Sequence, residues 1–344
     1  MIADAVGAIL LAAITLYAIL GGADFGGGLW DLLAGGAARG RPARDLIEES
    51  ITPVWEANHV WLVFALVIFW TAFPDAFAAV MTAAALPLWL AVLGIVLRGA
   101  GFAFRKEVTS LGLQRLFGAT FALSSLLTPF FMGAVIGGIA ASRISTRPTH
   151  STLAVWTSPT SILIGLLFVS ACGYLAAVYL TGEAARRGEE RLRVYFTRRA
   201  QAAGAVTGAL SLATLAELHG SDPGLSHHLT GRALPLVIVA ALTGLVVLVL
   251  LALDRLRGPR TLAALGVAAV IWGWGVAQYP ALLPGTALTL TNAGAPDATQ
   301  AAIVVVFAAA VVLVGPSFGL LFALHGRQVL TGGQTSQTGP DAPG

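Results

Sequence analysis

Long apolar runs separated by short polar stretches organise this chain. Most runs are apolar on every face, the pattern of helices surrounded by hydrocarbon rather than of surface helices in water. Runs long enough to cross ~30 Å of hydrocarbon, about 20 residues each, fall at about 5–23, 53–73, 76–98, 116–140, 159–181, 200–217, 233–253, 261–282 and 299–325. The prediction is an all-α polytopic membrane protein: nine transmembrane helices in a single integral membrane domain over 1–330, then a flexible polar tail over 331–344. The sixth run is rich in Ala, Gly and Thr rather than Leu, and is the least apolar. The first Lys or Arg is Arg39, so the first run lacks the basic flank of a signal peptide and reads as a retained helix. Pro87 and Pro316 fall inside the third and ninth helices and are expected to kink them.

Composition agrees. Hydrophobic residues make up 57% of the 344 and charged residues 11%, with a mean hydropathy of +0.82. Soluble domains are about 25% charged, so this chain cannot cover itself with polar surface in water. A single cysteine, Cys172, excludes a disulfide framework, CxxC metal sites and CxxCH haem attachment.

A pI near 9.4 raises the question of nucleic acid, and the placement of the basic residues answers it. The odd-numbered loops hold Arg39, Arg41, Arg44, Arg98, Arg105, Lys106, Arg115, Arg186, Arg187, Arg191, Arg193, Arg198, Arg199, Arg255, Arg257 and Arg260. The even-numbered loops hold only Arg143, Arg147 and Arg232. That bias puts the odd loops in the cytoplasm, the N-terminus outside and the C-terminus inside. No nucleic-acid partner is needed. The Arg186–Arg199 run reads as a solvated cytoplasmic loop, and Arg98 is expected to snorkel to the interface. Gly22–Gly26, Gly133–Gly137, Gly204–Gly208 and Gly315–Gly319 carry GxxxG spacing, read as close helix packing. Trp55, Trp61, Trp70, Trp272 and Trp274 suit interfacial belts.

Chemistry in a membrane chain is marked by ionisable groups where hydrocarbon should be. Two acids qualify. Asp24 ends the first helix within Gly21-Gly22-Ala23-Asp24-Phe25-Gly26-Gly27-Gly28, and Glu56 opens the second within Pro53-Val54-Trp55-Glu56-Ala57-Asn58-His59-Val60-Trp61. Helical spacing puts Glu56 and His59 one turn apart, with Trp55 and Asn58 close by. Two carboxyls and an imidazole in a narrow glycine-lined space suit inward proton passage; the plainer alternative is a cap at Asp24 and an interfacial Glu56. Glu56-x-x-His59 is half of a di-iron motif whose second half is missing. His59 is the one histidine inside an apolar run with no evident axial partner, so no haem is assigned to this chain. Walker A, nucleophile-elbow, HExxH and dinucleotide motifs are absent from the sequence.

These two acidic segments, in this order, resemble subunit II of cytochrome bd-type quinol oxidases. Gly22-Ala23-Asp24-Phe25-Gly26-Gly27-Gly28 matches the family's G-F-D-x-G-x-G-like end of its first helix. Pro53-Val54-Trp55-Glu56-Ala57-Asn58-His59-Val60-Trp61-Leu62 matches the P-x-W-D-G-N-x-V-W-L-like start of its second. Arg98–Arg105, Thr181-Gly182-Glu183 after helix five, and Tyr279-Pro280 through Asn292-Ala293 add to the likeness. Glu56 stands for the family's Asp, Ala57 for its Gly, Ala23 for an aromatic, and His59 for a non-imidazole polar residue.

The resemblance implies two four-helix bundles plus one peripheral helix in a bacterial plasma (inner) membrane. It implies an obligate heterodimer with subunit I, which carries two b-type haems and haem d. The complex oxidises membrane quinol and reduces O2 to water, taking protons from the cytoplasm. Asp24, Glu56 and His59 become the proton-transfer candidates, supported by Trp55, Asn58 and Trp61, with no catalytic residue and no metal ligand in this chain. A bound quinone and small accessory subunits are left open. Two other readings share the residues: a proton-coupled secondary transporter using Asp24 and Glu56, and a purely structural subunit.

Overall fold

The computed structural model describes residues 1–51, 55–107, 110–145 and 152–331. The elements are α1 (Ile2–Leu32), α2 (Ala37–Ile51), α3 (Trp55–Ala72), α4 (Pro74–Ala83), α5 (Ala85–Glu107), α6 (Leu111–Ala140) and α7 (Thr152–Trp156). They continue with α8 (Pro159–Arg186), α9 (Glu190–Ser221), α10 (Pro223–Thr230), α11 (Leu234–Ala252), α12 (Pro259–Gln278) and α13 (Asp297–Thr331). Among the described residues the fold is all-helical, with one isolated bridge between Ala281 and Thr289. The expected tail beyond Thr331 lies outside the described residues.

By length and composition six helices (α1, α5, α6, α8, α11 and α12) are able to cross a membrane. The bent α3–α4 pair makes up to seven. The Ala-, Gly- and Thr-rich α9 and the described apolar part of α13, Asp297–Leu313, stay outside that set. The chain is a multi-pass membrane protein.

Helices α1, α3, α5 and α6 pack together, as do α8, α9, α11 and α12. Contacts of α8 with α1 and α6 join the two groups, and α13 lies against α1 and α3.

Several helices differ from expectation at their ends. The run at 76–98 is two helices. Pro74 has no N–H to continue α3, and the chain bends by 118° there. A second break at Ala84 (φ −102°, ψ 21°) puts Pro87 in the first turn of α5, where a proline is tolerated. The glycine-rich segment does not end α1, which continues eight residues beyond Asp24. Gly99 and Gly101 do not end α5, so Arg98 lies well inside a helix. Thr181–Glu183 belongs to α8 itself.

The Arg186–Arg199 run is not a solvated loop. A short turn at Gly188 (φ 70°) separates α8 from α9. Leu192, Phe196 and Ala200, spaced by four, bury one face of α9 in the core cluster that also holds Leu180 of α8 and Val247 of α11. Taking a side chain as large as Phe196 from water contributes about 2 kcal/mol. That anchor, with the Glu190–Arg193 pair one turn apart, keeps a charged segment helical.

Candidate proton-transfer site

Asp24 in the C-terminal third of α1 lies near Asn58, His59 and Trp61 of α3. Glycines permit it. A Cβ on Gly26 would lie 1.9 Å from the Cys172 carbonyl oxygen of α8. One on Gly28 would lie 2.2 Å from Ser125 Oγ of α6. The close-packing reading holds at Gly26 and also at Gly137, whose Cβ would meet Ser161 Cα at 2.5 Å. It fails at Gly208, which faces open space.

Asp24 is buried at this crossing, and Arg98 of α5 is its partner. Nη1 and Nη2 each donate to one carboxylate oxygen at 2.7 Å. Nη2 also donates to the Asp24 carbonyl at 3.1 Å, and Nε to Ser125 Oγ at 2.9 Å. Ser125 in turn donates to the Phe121 carbonyl at 2.6 Å. The guanidinium lies 5.1 Å from the Phe25 ring centroid and 4.8 Å from that of Phe121. Arg98 therefore does not snorkel. It is 3% exposed, and its charge is matched in place by Asp24. A bidentate fork of this kind fixes both partners.

The start of α3 lies alongside. Asn58 is buried and donates Nδ2–H to the Leu20 carbonyl of α1 at 3.2 Å. The half-buried His59 ring has its centroid 6.2 Å from that of Tyr17 and 6.4 Å from that of Phe25. Trp61 is no belt residue: it packs on the cluster of Tyr17, Phe25 and Cys172, edge-on to Phe64 at 6.3 Å. Trp70, 63% exposed and stacked on Phe77, does face outward. The backbone of Trp55 and Glu56 forms the first turn of α3, one turn before His59. Their side chains lie outside the described residues.

Sequence reasoning missed Arg98 and Ser125 as partners of Asp24. The available signal was Asp24 itself, since a buried carboxylate requires a counter-charge. It also missed Tyr17, one helical face from Asp24 at seven residues' spacing. The Tyr17 hydroxyl is buried, with no hydrogen-bond partner among the described residues. Among the described residues no group of three or more His, Cys, Asp or Glu is placed to hold a metal ion.

Comparison with known proteins decides the family. The family model for cytochrome bd terminal oxidase subunit II matches residues 3–325. The chain belongs to that family. Among curated relatives, subunit 2 of the cytochrome bd ubiquinol oxidase of Bacillus subtilis (strain 168) is 29% identical over 117 residues, 34% of this chain and 34% of that protein. Subunit 2 of the cytochrome bd-I ubiquinol oxidase of Escherichia coli (strain K12) is 24% identical over 123 residues, 36% of this chain and 32% of that protein. The chain thus aligns with about a third of the length of these relatives. In fold it is similar to a chain of the bd oxidase from Geobacillus thermodenitrificans, with a TM-score of 0.79 and 23% identity over 94% of this chain and 99% of that one.

Proposed function

We propose that this chain is the haem-free subunit II of a quinol:O2 oxidoreductase in the bacterial plasma membrane. It forms an obligate heterodimer with a haem-bearing subunit I that oxidises membrane quinol and reduces O2 to water. The odd loops, and with them Glu56, face the cytoplasm. Two b-type haems and haem d belong to the partner, where they supply the electron-transfer and oxygen chemistry. This chain supplies scaffold and part of the proton supply.

Within that reading Glu56 and His59 carry protons, and Asp24 acts as a fixed charge. The carrying observation is the buried Asp24–Arg98 fork, which occupies both Asp24 oxygens. Proton movement is thereby left to Glu56, one turn from His59, with the Tyr17 hydroxyl on the same face of α1 as Asp24. Asn58 and Trp61 hold the start of α3 against α1, with Trp55 one turn before Asn58. Asn58 does so through the Leu20 carbonyl and Trp61 through the aromatic cluster. This division of labour disfavours a transporter in which Asp24 binds and releases the coupling proton.

The test is a dithionite-reduced minus air-oxidised spectrum of the chain affinity-purified in mild detergent from its own membrane. Haem bands and a stoichiometric larger membrane subunit are expected. A stable, colourless preparation without that subunit, together with solute uptake by the chain alone in liposomes driven by a pH gradient, contradicts the oxidase reading and restores the transporter.

A further inference from the structure

The arginines where α8 gives way to α9 divide into two sets. Arg186 and Arg187 pair with Glu183, and Arg187 also with Glu49. Arg193 pairs with Glu190 and Asp254. Arg191, Arg198 and Arg199 make no ion pair with any described residue.

Those three line one groove. It has a volume of about 600 Å³, and Glu190, Val194 and Tyr195 complete its wall. Both Glu190 oxygens are engaged by Arg193, so the groove carries the charge of three uncompensated guanidinium groups. Arg199 lies flat on the Tyr195 ring, 3.3 Å from its centroid, with the Trp30 ring at 5.8 Å. Its one hydrogen bond to protein is from Nη1 to the Tyr195 carbonyl, at 3.4 Å. Stacking brings the side chains together without aligning a hydrogen bond between them. The Arg199 Nε–H and the Tyr195 hydroxyl are both buried and have no partner among the described residues. Buried polar groups in native proteins are rarely left so. Three cations around one groove describe an anion site.

What extends from the groove selects the anion. Arg191 and Arg198 are two turns apart on one face of α9, about 10 Å along its axis at 1.5 Å per residue. The same exposed face continues from Arg198 through Ala202, Ala205, Val206, Ala209 and Leu212. It is an exposed strip of small and apolar side chains running along the helix away from the arginines, shaped for an acyl chain rather than for a soluble anion. We propose that Arg191, Arg198 and Arg199 form a binding site for the phosphate headgroup of an anionic phospholipid whose acyl chain lies along α9. This site is separate from the proton-transfer residues and holds whether or not the oxidase reading does.

The test is thermal unfolding of the chain, purified from its own membrane with whatever subunits remain bound. Phosphatidylglycerol, phosphatidylcholine or inorganic phosphate is added at matched ionic strength. Phosphatidylglycerol is expected to raise the wild-type Tm by about 3–5 °C, while phosphatidylcholine and inorganic phosphate leave it within about 1 °C. The R191Q/R198Q variant should lose most of that rise, and the R255Q/R257Q control should keep it. R198Q alone, an exposed single change, should lose about half, which keeps the test available if the double variant fails to fold. An unaltered response in R198Q, an equal loss in R255Q/R257Q, or an equal rise with inorganic phosphate each overturns the proposal.

Discussion

The same chemistry, a carboxylate gripped by a guanidinium, occurs at two places with opposite surroundings. Where Arg98 of α5 reaches Asp24 of α1, the Asp24 and Arg98 side chains are 2% and 4% exposed. At the start of α9, Arg193 grips Glu190, which is 70% exposed, and Asp254. In the first place neither charge can be hydrated if its partner is lost. In the second, water replaces the partner at little cost. The lesson is that a buried pair is held by the penalty for breaking it rather than by what it adds.

Breaking the buried pair should have the largest effect. Asp24→Asn strands the Arg98 charge and is expected to cost about 3–5 kcal/mol, read as loss of the purified chain after detergent extraction. Pairing it with Arg98→Leu should recover much of that yield, since no charge is then left alone. Next comes the packing that brings α1 to the pair. Gly26→Ala drives a methyl into the Cys172 carbonyl and should cost about 1–3 kcal/mol or more. Gly22→Ala, whose Cβ would sit 3.4 Å from Leu175 Cδ1, should be nearly neutral. A thermal-denaturation comparison of the two isolates close approach from the loss of a glycine as such.

Between the extremes lies Arg187. Burial works to lower its pKa, but the carboxylates of Glu49 and Glu183 outweigh it and leave the guanidinium above its ordinary range. Glu183→Gln removes one of them and should cost about 1 kcal/mol, visible as a small fall in Tm.

The smallest effect belongs to Glu190. Hydrogen bonds from Arg193 hold its carboxyl below the ordinary value of 4.5. A carboxylate with a depressed folded pKa contributes stability that is full above the unfolded value and disappears as pH falls through the folded one. Because Glu190 is solvent-exposed, wild type and Glu190→Gln should differ only slightly at neutral pH. Their Tm values should converge once pH falls below the folded pKa, whereas a constant gap at all pH values would assign the effect to packing.

The helical, membrane-spanning character was legible because apolar runs of about 20 residues admit few alternatives. Helix ends were not, for two physical reasons. Gly26 and Gly28 look like breakers, yet they sit in a helix because α6 and α8 press against them. Arg191–Arg199 look like loop, yet Leu192 and Phe196 anchor them. Asp24 was legible as a charge out of place. Its partner was not, because 74 residues separate it from Arg98 and no local spacing links them. Glu56 and His59 were legible together because three residues on one helix are one turn.

The account rests most on Glu56, and oxygen consumption by the purified complex carrying Glu56→Gln tests it most directly, with haem content measured on the same preparation. Quinol-driven turnover should fall about tenfold or more with haem content unchanged, and Glu56→Asp should stay close to wild type. Wild-type turnover in Glu56→Gln would contradict the assignment of proton transfer to this residue.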